Sequence, residues 1–305
     1  MRIFVTGVNG QLGYDVVCES IRRGYDVVAS DITAEYNGIN KFPMGARSYV
    51  SLDITRADEV RNVLLQEQPD VVIHCAAWTA VDASEETENI KKVFDINALG
   101  TKYIAESCKT LNCKMIYLST DYVFDGQGNA PWKADCKDYN PLNQYGKSKL
   151  EGEKFVSGIL DKYYVVRIAW VFGLNGNNFV KTMLNVGKKY DVVRVVNDQV
   201  GTPTYTFDLA KLLLDMAERE QYGYYHATNS GGCISWYDFC CEIYRLEGYS
   251  TKVIPVSTQE YGLSKAKRPY NSRLDKSKLQ EKGFNELPHW KNALMDYLGK
   301  LHKGQ

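Results

Sequence analysis

Tyr145 and Lys149 stand four residues apart in the segment Tyr145-Gly-Lys-Ser-Lys149, and a phenol beside an ammonium is a means of moving a proton. Positions i and i+4 of a helix share one face, so a helical segment points both side chains the same way. A phenol alone titrates near ~10, which makes it a poor base and an unassisted acid at neutral pH. A neighbouring cation favours phenolate and brings the group toward the operating range. Thr120 follows the apolar run Lys114 to Leu118 and Ser119, and its hydroxyl could share the same substrate oxygen. The three make a proton relay for a carbonyl/alcohol pair. In a chain with 22 tyrosines, a surface helix with a solvated lysine gives the same spacing, so its meaning depends on what else the chain supplies.

The start of the chain supplies it. Residues 2–6 are a short β-rich run, followed by Gly7-Val-Asn-Gly10-Gln-Leu-Gly13, an amphipathic stretch to about Arg23, and a second apolar run from Tyr25 to Ala29 that ends at Ser30-Asp31. Strand, glycine turn, helix, strand and acid in that order describe a dinucleotide site. One glycine permits the tight turn, one lets the backbone approach a pyrophosphate, and one lets helix and strand pack closely. The helix N-terminus presents free N–H groups and positive potential to the phosphates. Asp31 is placed for the adenosine ribose hydroxyls. The spacing is G-x-x-G-x-x-G rather than G-x-G-x-x-G, so the flanking strand, helix and acid carry the argument; without them it reads as a glycine-rich turn with no ligand. An acid at position 31, with no Arg or Lys between Gly7 and Gly13, favours NADH over NADPH.

The elements that must bring these two sites together alternate along the chain. Leu52-Asp53-Ile54 ends a strand-like piece, Arg56 to Gln66 reads as a helix, and Val71 to Cys75 as a buried strand continued by Ala76-Ala77-Trp78-Thr79, whose small residues suit a flat cofactor. Glu86 to Lys109 reads as one long helix carrying Asn97, and Cys113 to Leu118 as the next strand. Ligands of open parallel sheets sit at strand carboxyl ends, so the glycine turn, Asp31, Ala76-Ala77 and Thr120 should meet in one crevice. The expected fold is α/β, a Rossmann-like doubly wound parallel sheet with a smaller C-terminal α/β substrate lobe. Residues 1–170 with about 197–227 are expected in the dinucleotide-binding domain, and 171–196 with 228–305 in the substrate lobe.

Composition excludes other classes. Lys+Arg and Asp+Glu both number 37, so no charge excess points to nucleic acid or an anionic membrane. No stretch reaches the ~18 apolar residues of a membrane span, and the N-terminus has no signal-peptide layout. The eight cysteines form no Cys-x-x-Cys pair and the four histidines do not cluster, which predicts a reducing cytoplasm and no structural zinc.

With these residues in hand, the chain resembles the extended short-chain dehydrogenase/reductases and, within them, the dTDP-4-dehydrorhamnose reductase family. The matching pieces run nearly the whole length: Thr6 to Gly13, Ala76 to Asp82, Ser119 to Gly126, Tyr145 to Lys149, Arg167 to Trp170, Asn178 to Lys181, Asp198 to Thr204 and Arg268 to Ser272. The glycine turn and Tyr-x-x-x-Lys mark only the superfamily; the pieces around 78–82, 120–126, 198–204 and 268–272 narrow it. The resemblance implies a nucleotide-sugar substrate and NAD(P)H-dependent reduction of the 4-keto group of dTDP-4-dehydro-6-deoxy-L-mannose. It implies cofactor contacts at Gly7, Gly10, Gln11, Leu12, Gly13, Asp31, Asp53, Ile54, Ala76, Ala77 and Trp78. It further implies Tyr145 as proton donor, Lys149 as its tuning partner and ribose anchor, and Thr120 as assistant at the substrate oxygen. Asp121 and Trp170 are implied at the sugar nucleotide, and Arg268 and Asn271 at its nucleotide end. Some members bind Mg2+ at a dimer contact, with one acid where Asp15 stands; the other ligands do not align, so no metal is assigned and a homodimer stays open. Related dehydratases place an Asp-Glu pair after the threonine, whereas Asp121-Tyr122 follows Thr120 here. The alternatives are an epimerase on the same fold and a non-catalytic subunit resembling the regulatory subunit of methionine adenosyltransferase.

Overall fold

Seven β-rich runs form the central sheet of the computed structural model, which describes residues 1–38 and 40–303. They are β1 (Arg2–Thr6), β2 (Asp26–Asp31), β3 (Ser48–Ser51), β4 (Val71–His74), β5 (Lys114–Thr120), β6 (Tyr163–Ile168) and β7 (Gly223–His226). Their order across the sheet is β7-β6-β5-β4-β1-β2-β3, and every pairing is parallel. Near-continuous runs such as Ile3-Phe4-Val5 and Val71-Val72-Ile73 suit this sheet because both its faces are covered.

The helices include α1 (Gln11–Arg22), α2 (Ala57–Glu67), α3 (Thr87–Phe94), α4 (Thr101–Leu111), α5 (Gln144–Ile159), α6 (Phe179–Gly187), α7 (Thr206–Ala217) and α8 (Trp236–Glu247), of which α6 and α8 pack in a later core and not on this sheet. Side chains alternate across the strands, so Ile3 and Val5 join Val16 and Leu213 in one core, while Phe4 joins Val60, Leu64 and Ile104 in the other. This is the expected α/β doubly wound fold. The order of strands reverses between β1 and β4, and that switch point opens a crevice at the carboxyl ends.

Two elements differ from the sequence expectation. The strand before Asp53 is Ser48–Ser51, so Leu52, Asp53 and Ile54 follow it rather than end it. The single helix expected over 86–109 is broken into α3 and α4 by a π-helical segment, Asp95–Gly100. Asn97 in that segment is buried, and its side chain accepts from Trp78 N at 2.8 Å and donates to Trp78 O at 3.1 Å. A π turn re-aims a side chain that a regular helix would direct elsewhere, and here it aims Asn97 at the loop after β4.

Beyond β6 the chain leaves the sheet and returns to it only at β7. Phe172, Val180, Leu184, Tyr205, Phe239, Trp290, Leu294 and Tyr297 form a separate apolar core. Around it Val192–Val196 pairs parallel with Lys252–Val256, and Val200–Gly201 lies between Asn271–Ser272 and Ile234–Ser235. Helix α8 starts with a capping box: Ser235 Oγ accepts from Asp238 N, and Asp238 accepts from Ser235 N. Gly304 and Gln305, included in the expected substrate lobe, lie outside the described residues.

Candidate active site

The glycine turn comes first. Gly7 has φ +72, in the region that glycine enters without steric cost. A Cβ there would lie 2.6 Å from Ala76 N, and one on Gly13 would lie 2.3 Å from Gly7 O. The turn therefore abuts the end of β4 with no room for side chains. Thr6 Oγ1 accepts from the N–H of both Cys75 and Ala76 at 3.1 Å and so donates its own proton to His74 Nδ1 at 2.8 Å. His74 Nε2 then carries the proton toward Thr101 Oγ1, 3.2 Å away. Burial pushes His74 down to about 3, so it is neutral and structural.

Gly10 caps α1 with extended backbone and no capping side chain, leaving the first N–H groups of Gln11, Leu12 and Gly13 without one. Asp31, at the end of β2, accepts from Asn9 N at 2.9 Å and from its own neighbour Ile32 N at 2.8 Å. Asp53 follows β3, where it accepts from Thr55, and Leu52 N donates to Asp31 O at 2.8 Å. Ile54 is buried. Ala77 and Trp78 continue from Ala76 in the loop that Asn97 holds. These features fit a dinucleotide: a cradle closed to any Cβ, an open helix N-terminus, and an acid at the next strand end.

The second half of the crevice lies on α5. Asn143 caps it by accepting from Gly146 N at 2.8 Å, which fixes the helix start and places Tyr145 in its first turn. The Thr120 hydroxyl faces the Tyr145 phenol and donates to Asp121 Oδ1 at 3.0 Å. Ser272 lies beside Asp121 but leaves its buried Oδ2 without an aligned donor. Burial pushes the Asp121 carboxyl up to about 6, with Ser272 and Thr120 opposing. Gly201 pairs with Ser272, and a Cβ on Gly201 would lie 2.9 Å from Ser272 Cβ and 3.0 Å from Trp170 Cε2. Trp170 in turn stacks on Trp236 with ring centroids 3.7 Å apart. Gly7, Ala76, Cys75 and Lys149 thus form one series of neighbours, and Tyr145, Thr120, Asp121, Ser272, Gly201 and Trp170 a second, with one turn of α5 between Tyr145 and Lys149.

Two expectations need correcting. Tyr145 is not made acidic by Lys149 in this protein. Burial raises the phenol, the Asp121 charge raises it further, and only the Thr120 hydroxyl opposes. Lys149 instead lies over the Tyr117 ring at 4.2 Å, and burial draws its ammonium down to about 7. Asn271 is buried, donates to Gln127 O and Ala130 O at 3.1 and 2.9 Å, and accepts from Arg273. It fastens a loop and has no group left for a nucleotide. Arg268, expected at the nucleotide end of the substrate, binds Asp82 through both terminal nitrogens, at 2.8 and 3.3 Å, and borders Tyr122, whose ring packs edge-on to Tyr145 at 5.7 Å.

Asp15 is buried and accepts from Thr206 Oγ1 at 2.5 Å, and no group of three or more metal-ligating side chains occurs among the described residues. Sequence reasoning missed Asn175 and Asn178, which reach from the loop after Trp170 to the glycine turn. Asn175 Nδ2 donates to Asn9 O at 2.9 Å and Asn178 Nδ2 to Gln11 Oε1 at 2.9 Å. Only the Asn178 motif gave any signal of this.

The model of the RmlD substrate binding domain family matches residues 1–303. The chain belongs to that family. This RmlD-family chain is 36% identical over 307 residues to dTDP-4-dehydrorhamnose reductase from Aggregatibacter actinomycetemcomitans, covering 96% of this chain and 97% of the other. It is similar to the crystal structure of a dTDP-4-dehydrorhamnose reductase from Clostridium acetobutylicum, with TM-score 0.89, 40% identity, and 99% and 100% of the two chains covered. It is also similar to dTDP-4-dehydrorhamnose reductase from Bacillus anthracis in complex with NADP, with TM-score 0.88, 35% identity, and 98% and 99% covered.

Proposed function

We propose that this RmlD-family chain is an NAD(P)H-dependent oxidoreductase that reduces the 4-keto group of dTDP-4-dehydro-6-deoxy-L-mannose to give dTDP-L-rhamnose. The observation that carries the reading is the Tyr145–Thr120–Asp121 cluster standing one turn of α5 from Lys149, which neighbours Cys75 at the edge of the glycine turn. A reduced nicotinamide bound in that cradle supplies the hydride. Gly7, Gly10, Gly13 and the first turn of α1 hold the pyrophosphate, Asp31 the adenosine ribose, and Lys149 the nicotinamide ribose. Tyr145, kept neutral by burial, gives its proton to the ketone oxygen, and Thr120 donates to the same oxygen as negative charge develops there. Preorganised donors of this kind contribute ~10²–10³-fold each. Trp170, braced by Trp236, borders the sugar nucleotide, and Arg268 is assigned to its nucleotide end through its place beside Tyr122.

We assign residues 1–170 with about 197–227 to the dinucleotide lobe and 171–196 with 228–303 to the substrate lobe, a division supported by the separate core around Phe239 and Trp290. Eight free thiols, and no helix among the described residues long and apolar enough to cross a membrane, support a cytoplasmic enzyme.

NADH is the assigned preference. The segment after Asp31 carries Glu35 and no basic residue up to Gly38, so a 2′-phosphate would meet negative charge. Asp31→Ala is expected to improve the KM for NADPH relative to NADH by about tenfold or more, because like-charge juxtaposition costs on the order of several kcal/mol. Unchanged relative KM values would reject the assignment. The reading as a whole is tested by following NADH and NADPH absorbance with a panel of nucleotide ketosugars. Oxidation confined to the dTDP-4-keto-6-deoxy sugar is expected. Tightly held NAD released on denaturation, with no net oxidation, would move the chain to the epimerases.

A further inference from the structure

Behind Tyr145 and Lys149, the same face of α5 carries a third ionisable residue. Glu153 follows Lys149 by four positions, as Lys149 follows Tyr145, and helix geometry aligns the three. Glu153 is fully buried. Its Oε1 accepts from Ser119 Oγ at 2.5 Å and Arg167 Nε at 2.8 Å, and its Oε2 accepts from Arg167 Nη2 at 2.7 Å. Arg167, on β6, is equally buried and donates also to Tyr139 OH at 2.9 Å and Ala134 O at 3.1 Å. Phe124, Tyr139 and Tyr224 surround its guanidinium at 4.8–5.2 Å.

A buried ion pair is weak evidence for stability, since a well-packed apolar replacement is often neutral or better. This pair lies where it bears on the crevice. Ser119 directly precedes Thr120, so the Ser119–Glu153 hydrogen bond ties the end of β5 to the helix that carries Tyr145. Lys149 makes no ion pair among the described residues within 4.0 Å. The groups facing it are Tyr145 and Glu153 on its own helix, His74 and Cys75 at the end of β4, and Tyr117 on β5. Burial keeps His74 neutral and pushes Cys75 up to about 12, so neither balances the ammonium. Tyr117 is raised as well. Glu153 is the anion that remains.

We propose that Glu153, locked in place by Arg167, is a positioning residue: its carboxylate supplies the field in which Lys149 stays an ammonium, and it pins the Ser119–Thr120 strand end against α5. The catalytic consequence rests on the reductase reading; the charge relation does not. Burial lowers the Lys149 ammonium to about 7, and the Glu153 carboxylate is the largest influence opposing it. Loss of the anion therefore moves Lys149 deprotonation to lower pH.

Glu153→Gln keeps the shape and can still accept from Arg167 and Ser119. In protein labelled with 15N-lysine, the Lys149 resonance, assigned by its absence in Lys149→Met, is expected to titrate about one pH unit lower in Glu153→Gln than in the parent chain. An unmoved midpoint overturns the proposal. Should the glutamine variant not fold, the double change Glu153→Met with Arg167→Met removes the carboxylate together with the cation that opposes it, so a smaller shift in the same acid direction is expected, and no shift overturns the proposal. In turnover, the descending alkaline limb of kcat should move by the same amount as the Lys149 midpoint. Ser119→Ala leaves the charge in place, so it should leave the midpoint where it is and lower kcat by about tenfold with the cofactor KM unchanged; full kcat removes the pinning role. Tyr139→Phe loses an Arg167 contact remote from Lys149 and should leave both the midpoint and kcat as they were. If the parent chain reduces no ketosugar, the reductase reading falls while the Lys149 midpoint in the cofactor-free chain still decides the charge relation.

Discussion

Tyr145→Phe is expected to lower kcat for ketosugar reduction by about 10²–10⁴-fold, the span that one positioned proton donor accounts for. NADH affinity, read by fluorescence titration, should stay nearly unchanged. The change removes one oxygen and keeps the ring that packs edge-on to Tyr122, so the fold has little reason to shift. The prediction is sharpened by the direction in which the phenol is displaced. Burial and the Asp121 carboxylate both raise it, so it begins each turnover protonated across the range of ordinary assays and regains from solvent the proton it gives up. Phenolate formation should therefore not appear as a rising limb in kcat between neutral and mildly alkaline pH. Undiminished turnover in the variant would pass the donor role to Asp121, whose carboxyl at about 6 retains a proton in part near neutrality.

The second large effect is expected at the other end of the crevice. Gly7→Ala should abolish detectable NADH binding and lower the free energy of unfolding by about 2–5 kcal/mol in urea titrations. Two independent costs add. A left-handed backbone costs an L-residue roughly 1–2 kcal/mol, and Gly7 sits at φ +72. The new methyl also meets Ala76 N at 2.6 Å, Ala76 Cα at 2.8 Å and Cys75 C at 2.9 Å, all backbone, and overpacking of that kind costs typically 1–3 kcal/mol. Relief requires β1 and β4 to part at their carboxyl ends, which is where the dinucleotide is assigned. Gly10→Ala is the natural comparison, because its methyl meets only Gly7 O at 3.1 Å and its φ of −81 is ordinary. Equal loss in the two variants would contradict the steric account.

What the sequence disclosed was mostly local. The glycine turn between β1 and α1, Asp31 at the end of β2, Thr120 at the end of β5, and Tyr145 with Lys149 on α5 are each fixed by periodicity and turn chemistry over twenty or so residues, and the fold places them as expected. Partnerships over longer spans were not legible. Nothing in the spacing announces that Arg167 will sit under Glu153, that Arg268 will fork onto Asp82, or that Asn271 will be used up inside a loop. The tuning of Tyr145 by Lys149 failed for a related reason. Helical spacing set the two on one face, but burial and the approach of Tyr117 from β5 decided where the ammonium went. The π turn at Asp95–Gly100 was hidden too, since its cause, the bonds from Asn97 to Trp78, joins residues nineteen positions apart.

The parallel pairing of β7 with β6 has a consequence for how the molecule is made. β6 ends at Ile168, yet its outer partner spans Gly223–His226. During synthesis the intervening fifty-odd residues must emerge before that side of β6 is covered, and until then Tyr164, Val165 and Val166 present an apolar open edge. Unpaired edges of this composition recruit other strands, and slow non-local pairing prolongs the exposure. Expression at high rate or high temperature should therefore favour inclusion bodies, and a chain stopped after α5 and β6 should aggregate where the full-length chain stays dispersed.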